Sequence, residues 1–243
     1  LTLDVGLLTL DFVMAVWLSL CAVVLVVAYL LGSFPTGYIA VKQLKGIDIR
    51  EVGSGSTGAT NVLRTLGKGP GAVVLLIDCL KGVTAIALAY QLFKLAPLYN
   101  FLPLTVDVNL WQPCLATLAG LAAVLGHSKS IFLGFSGGKS VATGLGTVLA
   151  ISWQVGLASA GVFAVVVAIS RIVSLSSITA AIAVTIFMIV FHQPLPCILY
   201  AFFGGLYVIL RHRSNIERLL AGTEPKIGQK VTIEAEPTDG QLT

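Results

Sequence analysis

Residues 12–31 form a run of 20 residues without one charged side chain, and this run limits the possible folds more than any other feature. Coiled into a helix at 1.5 Å per residue, it spans about 30 Å, the thickness of the hydrocarbon core of a bilayer. Six further apolar runs follow, at 72–96, 110–125, 141–151, 155–169, 175–191 and 195–210. Only 11% of the residues are charged and 56% are hydrophobic, against about 25% charged in soluble domains. Such a chain has too little polar surface to face water all round. The expectation is an all-α integral membrane protein with about seven transmembrane helices. Several runs are short, and joining the fourth to the fifth would give six.

Charge orients the spans. With the N-terminus outside and seven alternating spans, the inside segments are 32–71, 126–140, 170–174 and the stretch from Arg211 onward. They hold thirteen of the fifteen lysines and arginines, and the outside segments hold none. Lys81 and Lys94 lie within the second span. This asymmetry is the positive-inside pattern, and it predicts N-terminus outside, C-terminus cytoplasmic. Asp4 and Asp11 stand where a signal peptide would carry basic residues, so the first run reads as a retained span. Residues 1–221 read as one multi-spanning membrane domain. Residues 222–243 turn polar and read as a flexible cytoplasmic tail without assignable chemistry.

Several function classes drop out. The four cysteines (Cys21, Cys79, Cys114, Cys197) are scattered through apolar stretches without a CxxC or paired histidines, so they read as small buried hydrophobes rather than a zinc site or disulfide framework. No metal or cofactor is expected. The net charge of +4 is modest and no aromatic–basic interleaving occurs, which argues against a nucleic-acid partner. No obligate protein partner is evident.

The inside segments carry the chemistry. The first, residues 53–69, places Gly53, Gly55 and Gly58 in a GxGxxG spacing before a short helix. The preceding strand of a dinucleotide fold is missing, but glycines that admit backbone N–H groups, together with a helix N-terminus, still favour an anion. Ser54, Thr60 and Asn61 add hydrogen-bonding groups and Arg64 a fixed cation. The second segment, residues 126–146, falls short of a phosphate-binding P-loop because Leu133 stands where glycine is needed. Even so, Gly137, Gly138, Lys139 and Ser140 lead straight into a helix start. The third, residues 211–224, groups Arg211, His212, Arg213 and Arg218. Arg171, with the serines at 174, 176 and 177, forms a fourth basic loop on the same side. A donor-rich basic pocket beside apolar helices suits a substrate with a phosphate head and an acyl chain. Asp78 and Lys81, three apart inside the second span, share a helix face and read either as an internal ion pair or as a functional site.

At this level of detail the segments resemble the acyl-phosphate:glycerol 3-phosphate acyltransferase family (PlsY). Residues 54–64 look like its first motif, Gly126-His127 with 135–143 like its second, and 211–216 with 218–220 like its third. The second motif often reads FKGGKG; here Ser136 and Ser140 stand in for its first lysine and last glycine, while Lys139 remains. The resemblance implies transfer of a fatty acyl group from acyl phosphate to the 1-hydroxyl of glycerol 3-phosphate, giving lysophosphatidic acid and phosphate, at the cytoplasmic face of a bacterial plasma membrane. It implies a catalytic set of Ser54, Arg64, Lys139, His212 and Asn215. Gly53, Gly55, Gly58, Thr60, Asn61, Gly137, Gly138, Ser140, Arg171 and one serine of the fourth loop, with Ser174 the choice, would bind phosphate or substrate. His212 is expected to orient substrate, with a role as base the alternative. An organic-anion transporter or channel is the rival reading, favoured by the intramembrane charges and disfavoured by the one-sided basic loops.

Overall fold

The computed structural model describes residues 2–99 and 101–229. Ten α-helices form among them: α1 (Thr2–Ser33), α2 (Thr36–Lys45), α3 (Ala59–Leu66), α4 (Lys68–Leu95), α5 (Val108–Ser128), α6 (Val141–Ile151), α7 (Trp153–Ser170), α8 (Val173–Val190), α9 (Leu195–Arg211) and α10 (Arg213–Leu220). A single bridge between Ser130 and Ser136 is the one β-type pairing among the described residues. Each of the seven apolar runs is a helix (α1 and α4 to α9), because lipid cannot satisfy backbone N–H and C=O groups and a helix pairs them internally. Exposed side chains such as Val26, Leu76, Leu157, Ile186 and Phe203 cover the outside of these helices, as a surface facing lipid requires.

By length and composition, five helical segments suffice to cross a membrane: Asp11–Lys45, Lys68–Tyr99, Val108–Ser128, Trp153–Ser170 and Val173–Val190. α9 with α10 makes a sixth, bent by 61°. α6 has 11 residues, about half of a span at 1.5 Å per residue. Extended backbone at Ser152 separates it from α7, so the fourth and fifth runs do not merge into one helix.

Hydrophobicity alone does not stack helices in lipid, because acyl chains are as apolar as leucine; close approach of small residues does. Two seams show this. In the first, α5 Gly126 lies against the Tyr29 carbonyl and Ser33 of α1. In the second, α6 Gly146 lies against the Cys79 carbonyl of α4. A methyl group at either glycine would collide with backbone that has nowhere to move. Bulkier contacts fill the rest, including Trp17 edge-on to Phe93 with ring centroids 4.9 Å apart. α7 packs on α8, and α8 on α9. The breaks that matter for function fall at polar residues. Ser140 before α6 and Arg171 between α7 and α8 adopt left-handed backbone with φ near 60°, a conformation that costs non-glycine residues about 1–2 kcal/mol and tends to persist where function requires it.

Candidate active site

The first basic loop is organised by Asn61, which is 1% exposed. Its Nδ2 lies 3.2, 3.0 and 2.9 Å from the carbonyls of Ile49, Val52 and Ser56, and its Oδ1 accepts the Ser54 N–H at 3.2 Å. Asn61 is expected from sequence to offer a donor to phosphate; in this structure its amide bonds the loop itself. Gly53 has a φ of 61° and lies against Asn61 Oδ1, so only a residue without Cβ fits there. Gly55 shares the positive φ, and Gly58 caps α3 in extended backbone. Thr60 is half-buried in the first turn of α3, and Ser54 is exposed. No hydrogen bond joins the Ser54 side chain to another group among the described residues.

The second loop packs on the end of α5. Gly138 donates its N–H to the His127 carbonyl at 3.1 Å. A Cβ on Gly137 would meet that same carbonyl, and one on Gly138 the His127 imidazole. Packing against His127 and Ser128 thus requires glycine at both positions. Ser140, also expected to face phosphate, donates its hydroxyl to the Val124 carbonyl at 2.7 Å. These contacts leave Lys139 as the group the loop presents outward.

Lys139 points at α10. Its Nζ donates to Asn215 Oδ1, and no carboxylate lies within ion-pair distance of it among the described residues. Burial, the leading cause, and the neighbouring Arg218, Arg64 and Arg211 together outweigh Glu224 and lower its pKa from 10.5 to about 8. Asn215 Nδ2 donates in turn to Glu224 Oε1 at 2.6 Å. The same oxygen accepts Ser174 Oγ at 2.7 Å, and Oε2 accepts Arg218 Nε at 2.7 Å. Burial pushes the Glu224 carboxyl up, but these hydrogen bonds prevail and hold it below the ordinary value. Such a carboxylate acts as the keystone of a cationic cluster. Arg64 approaches from α3, donating to the Pro225 carbonyl at 3.4 Å, and Arg211 donates to the Gly138 carbonyl at 3.2 Å.

His212 sits at the break between α9 and α10, 3% exposed. Its Nδ1 is 2.7 Å from the Val208 carbonyl. A carbonyl only accepts, so Nδ1 carries the proton and Nε2 keeps its lone pair. Burial is the main reason its pKa falls from 6.5 to about 4. The ring is neutral in the physiological range.

Of the residues expected from sequence, Arg64, Lys139, Ser174, His212 and Asn215 converge here. Arg171 stands at the margin, exposed, with one guanidinium nitrogen donating to the Ile227 carbonyl at 3.0 Å. Among the three serines of the fourth loop, Ser176 and Ser177 bond their own helix at 2.8 and 2.9 Å, leaving Ser174 in the cluster. Sequence reasoning did not select Glu224 or Arg218. Both lie in the third basic segment, but the turn that brings Glu224 back under α10, with Gly222 at φ 70°, has no signal beyond that glycine. The start of the expected tail thus returns Glu224, which is buried, and the Pro225 carbonyl to the cluster, while residues 226–229 are exposed; the part from residue 230 lies outside the described residues. Beneath the cluster, a cavity of about 130 Å³ runs among α5 to α9, from Ser140 and Val208 down to Tyr200, lined mainly by apolar side chains such as Leu145, Phe163 and Val184.

Residues 22–222 match the family model described as glycerol-3-phosphate acyltransferase. The glycerol-3-phosphate acyltransferase of Trichormus variabilis is 78% identical over 223 residues, covering 92% of this chain and 99% of the relative. The chain belongs to the glycerol-3-phosphate acyltransferase family. The family member from Acaryochloris marina is 55% identical, over 93% of this chain and all of its own. Crystal structures of PlsY (YgiH), an integral membrane glycerol 3-phosphate acyltransferase, extend the likeness to the fold. The glycerol 3-phosphate form matches with a TM-score of 0.74 at 40% identity, covering 86% of this chain and 96% of that one. The lysophosphatidic acid form matches with a TM-score of 0.71 at the same identity, covering 86% and 95%. Membership makes the chain a membrane-integral acyltransferase of phospholipid synthesis.

Proposed function

We propose that the pocket transfers a fatty acyl group from acyl phosphate to the sn-1 hydroxyl of glycerol 3-phosphate, releasing lysophosphatidic acid and inorganic phosphate. The observation that carries this reading is the pairing of uncompensated cations with a greasy cavity. Arg64, Lys139 and Arg211 have no carboxylate partner among the described residues, and the cavity's lining begins at Ser140, the residue after Lys139, and at Val208, whose carbonyl holds His212. Phosphate dianions satisfy the first and an acyl chain the second.

An acyl phosphate is a mixed anhydride with a stable leaving group, so positioning and charge neutralisation are the main requirements. The sn-1 oxygen forms a bond to the carbonyl carbon, the bond from that carbon to the phosphate oxygen breaks, and the hydroxyl proton departs on the released phosphate. Holding the reacting atoms in attack geometry contributes about 7–11 kcal/mol in favourable cases, and each preorganised donor at the developing oxyanion about 2.7–4 kcal/mol. In this reading Arg64, Lys139 and the amides of the 53–58 loop clamp the phosphates, and Ser54 offers a free hydroxyl. Asn215 and Ser174 orient the clamp through Glu224. His212 Nε2 accepts a hydrogen bond from substrate. Thr60, at the start of α3, sits where a helix N-terminus favours an anion.

The same reading takes the seven helices α1 and α4 to α9 as spans, with the N-terminus outside and the site at the cytoplasmic face of a bacterial plasma membrane. What supports it is the restriction of Lys and Arg loops to one side. Residues 1–221 would be the membrane domain, with Glu224 and the Pro225 carbonyl contributing to the site.

Phosphate release from palmitoyl phosphate by detergent-purified protein is the decisive assay. Release that depends on glycerol 3-phosphate and yields lysophosphatidic acid is expected. Glycerol 3-phosphate flux into sealed liposomes without any release would overturn the reading in favour of transport.

A further inference from the structure

A second group of charges lies inside the bundle, away from the pocket. Asp78 and Lys81 on α4 are 1% and 6% exposed, and His127 on α5 is 7% exposed. Lys81 Nζ donates to Asp78 Oδ1 at 2.6 Å, and His127 Nδ1 lies 3.8 Å from the same oxygen. An ion pair within one helix would require no more than that. Lys81 does more: it also donates to the Phe34 carbonyl at 2.6 Å, at the break between α1 and α2, where the same carbonyl accepts the Thr36 N–H at 3.0 Å.

Both substrate loops are anchored to this group. From the Phe34 break the chain enters α2, where Gly37 packs so closely on the Thr57 carbonyl that a Cβ would collide with it. Thr57, next to last in the glycine loop, borders the same small cavity as Asp78, Lys81 and His127. On the other side, His127 holds Gly138 through its carbonyl and its ring, and Gly138 is the residue before Lys139. Ser130 Oγ, at the start of the Lys139 loop, donates to the Ser33 carbonyl at 2.5 Å and closes the ring of contacts.

We infer that Asp78, Lys81 and His127 form a buried positioning centre that holds the glycine loop and the Lys139 loop in register with each other. The centre touches no substrate. It acts through Phe34 and Thr57 on one loop and through Gly138 on the other. This inference rests on the proposed roles of those loops. A displacement of one loop by about 1 Å is enough to cost on the order of a hundredfold in rate, which is why a rigid anchor in the membrane interior serves the reaction.

The test compares Lys81→Met, Lys81→Arg and the exchange of Asp78→Lys with Lys81→Asp, using glycerol 3-phosphate-dependent acyl transfer and thermal unfolding in detergent. Lys81→Met should lose turnover by about 10- to 100-fold with the KM for glycerol 3-phosphate little changed. Lys81→Arg keeps a charged donor and should recover part of that loss. The exchange keeps a buried ion pair, so its unfolding midpoint should recover, but it moves the ammonium by about one helical turn from its place on the Phe34 carbonyl, and turnover should stay low. Full turnover in the exchange variant, or in Lys81→Met, would overturn the inference and leave a plain helix-internal pair. Should the α4 variants fail to fold, Ser130→Ala removes a peripheral bond of the same ring. A drop in its turnover at constant KM supports the centre, and unchanged turnover refutes it. Wild-type protein is the control: absence of transfer there speaks against the pocket's reaction, whereas normal transfer in both wild type and variants speaks against the centre.

Discussion

Lys139 and Lys81 are two lysines with opposite surroundings, the first half-buried and the second buried. Lys81 is sealed within the bundle, and Asp78 neutralises it at 2.6 Å. Among the described residues Lys139 hydrogen-bonds only the neutral Asn215 side chain, and burial first, with the neighbouring arginines, depresses its pKa to about 8. Glu224, the one carboxylate in that cluster, is bound by Ser174, Asn215 and Arg218. A neutralised lysine at membrane depth suits architecture, because an unpaired charge there is costly. An unneutralised lysine beside water and an apolar cavity suits an anionic ligand. The same residue type is thus assigned to scaffold or to chemistry by its partner.

The largest effect that would break this contrast is at Lys139. Lys139→Ala should lower turnover by about 10²–10³-fold, the usual loss when a preorganised donor to developing charge is removed, while unfolding in detergent stays near that of wild type. Turnover within a few fold of wild type would mean that Lys139 is as structural as Lys81.

Glu224 should come next. Glu224→Ala leaves Ser174 Oγ and Asn215 Nδ2 without an acceptor and Arg218 without a counter-charge, and a buried group left unpaired costs about 1–3 kcal/mol. The expected outcome is a turnover loss of about 10- to 100-fold with a lowered unfolding midpoint. Glu224→Gln retains an acceptor oxygen and should lose less. Equal losses in the two variants would show that charge, and not acceptor geometry, organises the cluster.

Glu224 also marks where sequence reading stopped. The membrane fold was legible because a charge-free run of 20 residues permits little else, and the seven apolar runs are the long helices and α6. Lys139, Arg64, His212 and Asn215 were legible because basic and polar residues flank helix breaks in recognisable motifs. Glu224 was not, because its role arises from a chain reversal at Gly222 that returns it under α10. A carboxylate in a polar stretch looks like solvated tail until that turn is known. Asn61 and the glycines at 137 and 138 carry a structural role that spacing does not reveal: internal hydrogen bonds hold the Asn61 amide, and close packing requires glycine at both positions.

A smaller effect sharpens the charge assignment. With a pKa of about 8, Lys139 in the free enzyme is mostly protonated at pH 7 and loses its charge as the pH rises through that value. The ratio kcat/KM for glycerol 3-phosphate should therefore fall above pH about 8, approaching tenfold per pH unit. In Lys139→Arg the charge persists, since a guanidinium does not deprotonate in proteins. The limb should then disappear from the accessible range, although overall activity drops because the planar fork does not reproduce a point charge. A limb unchanged in Lys139→Arg would assign the titration to another group.

The smallest expected effect concerns the shape of the profile on the acid side. His212 is buried at the bend between α9 and α10, and its pKa lies near 4, so between pH 5.5 and 7.5 it stays neutral with Nδ1–H on the Val208 carbonyl. An imidazole in that state orients a hydroxyl through Nε2 but has little basicity to drive proton transfer, for which a pKa near the working pH is best. His212→Ala should reduce kcat yet leave the pH dependence flat across this window, as in wild type. A wild-type limb near pH 6.5 that vanishes in His212→Ala would make His212 the base. The proton would then pass to the protein rather than to the departing phosphate, and His212 would join Lys139 as a group that changes its charge state in the reacting site.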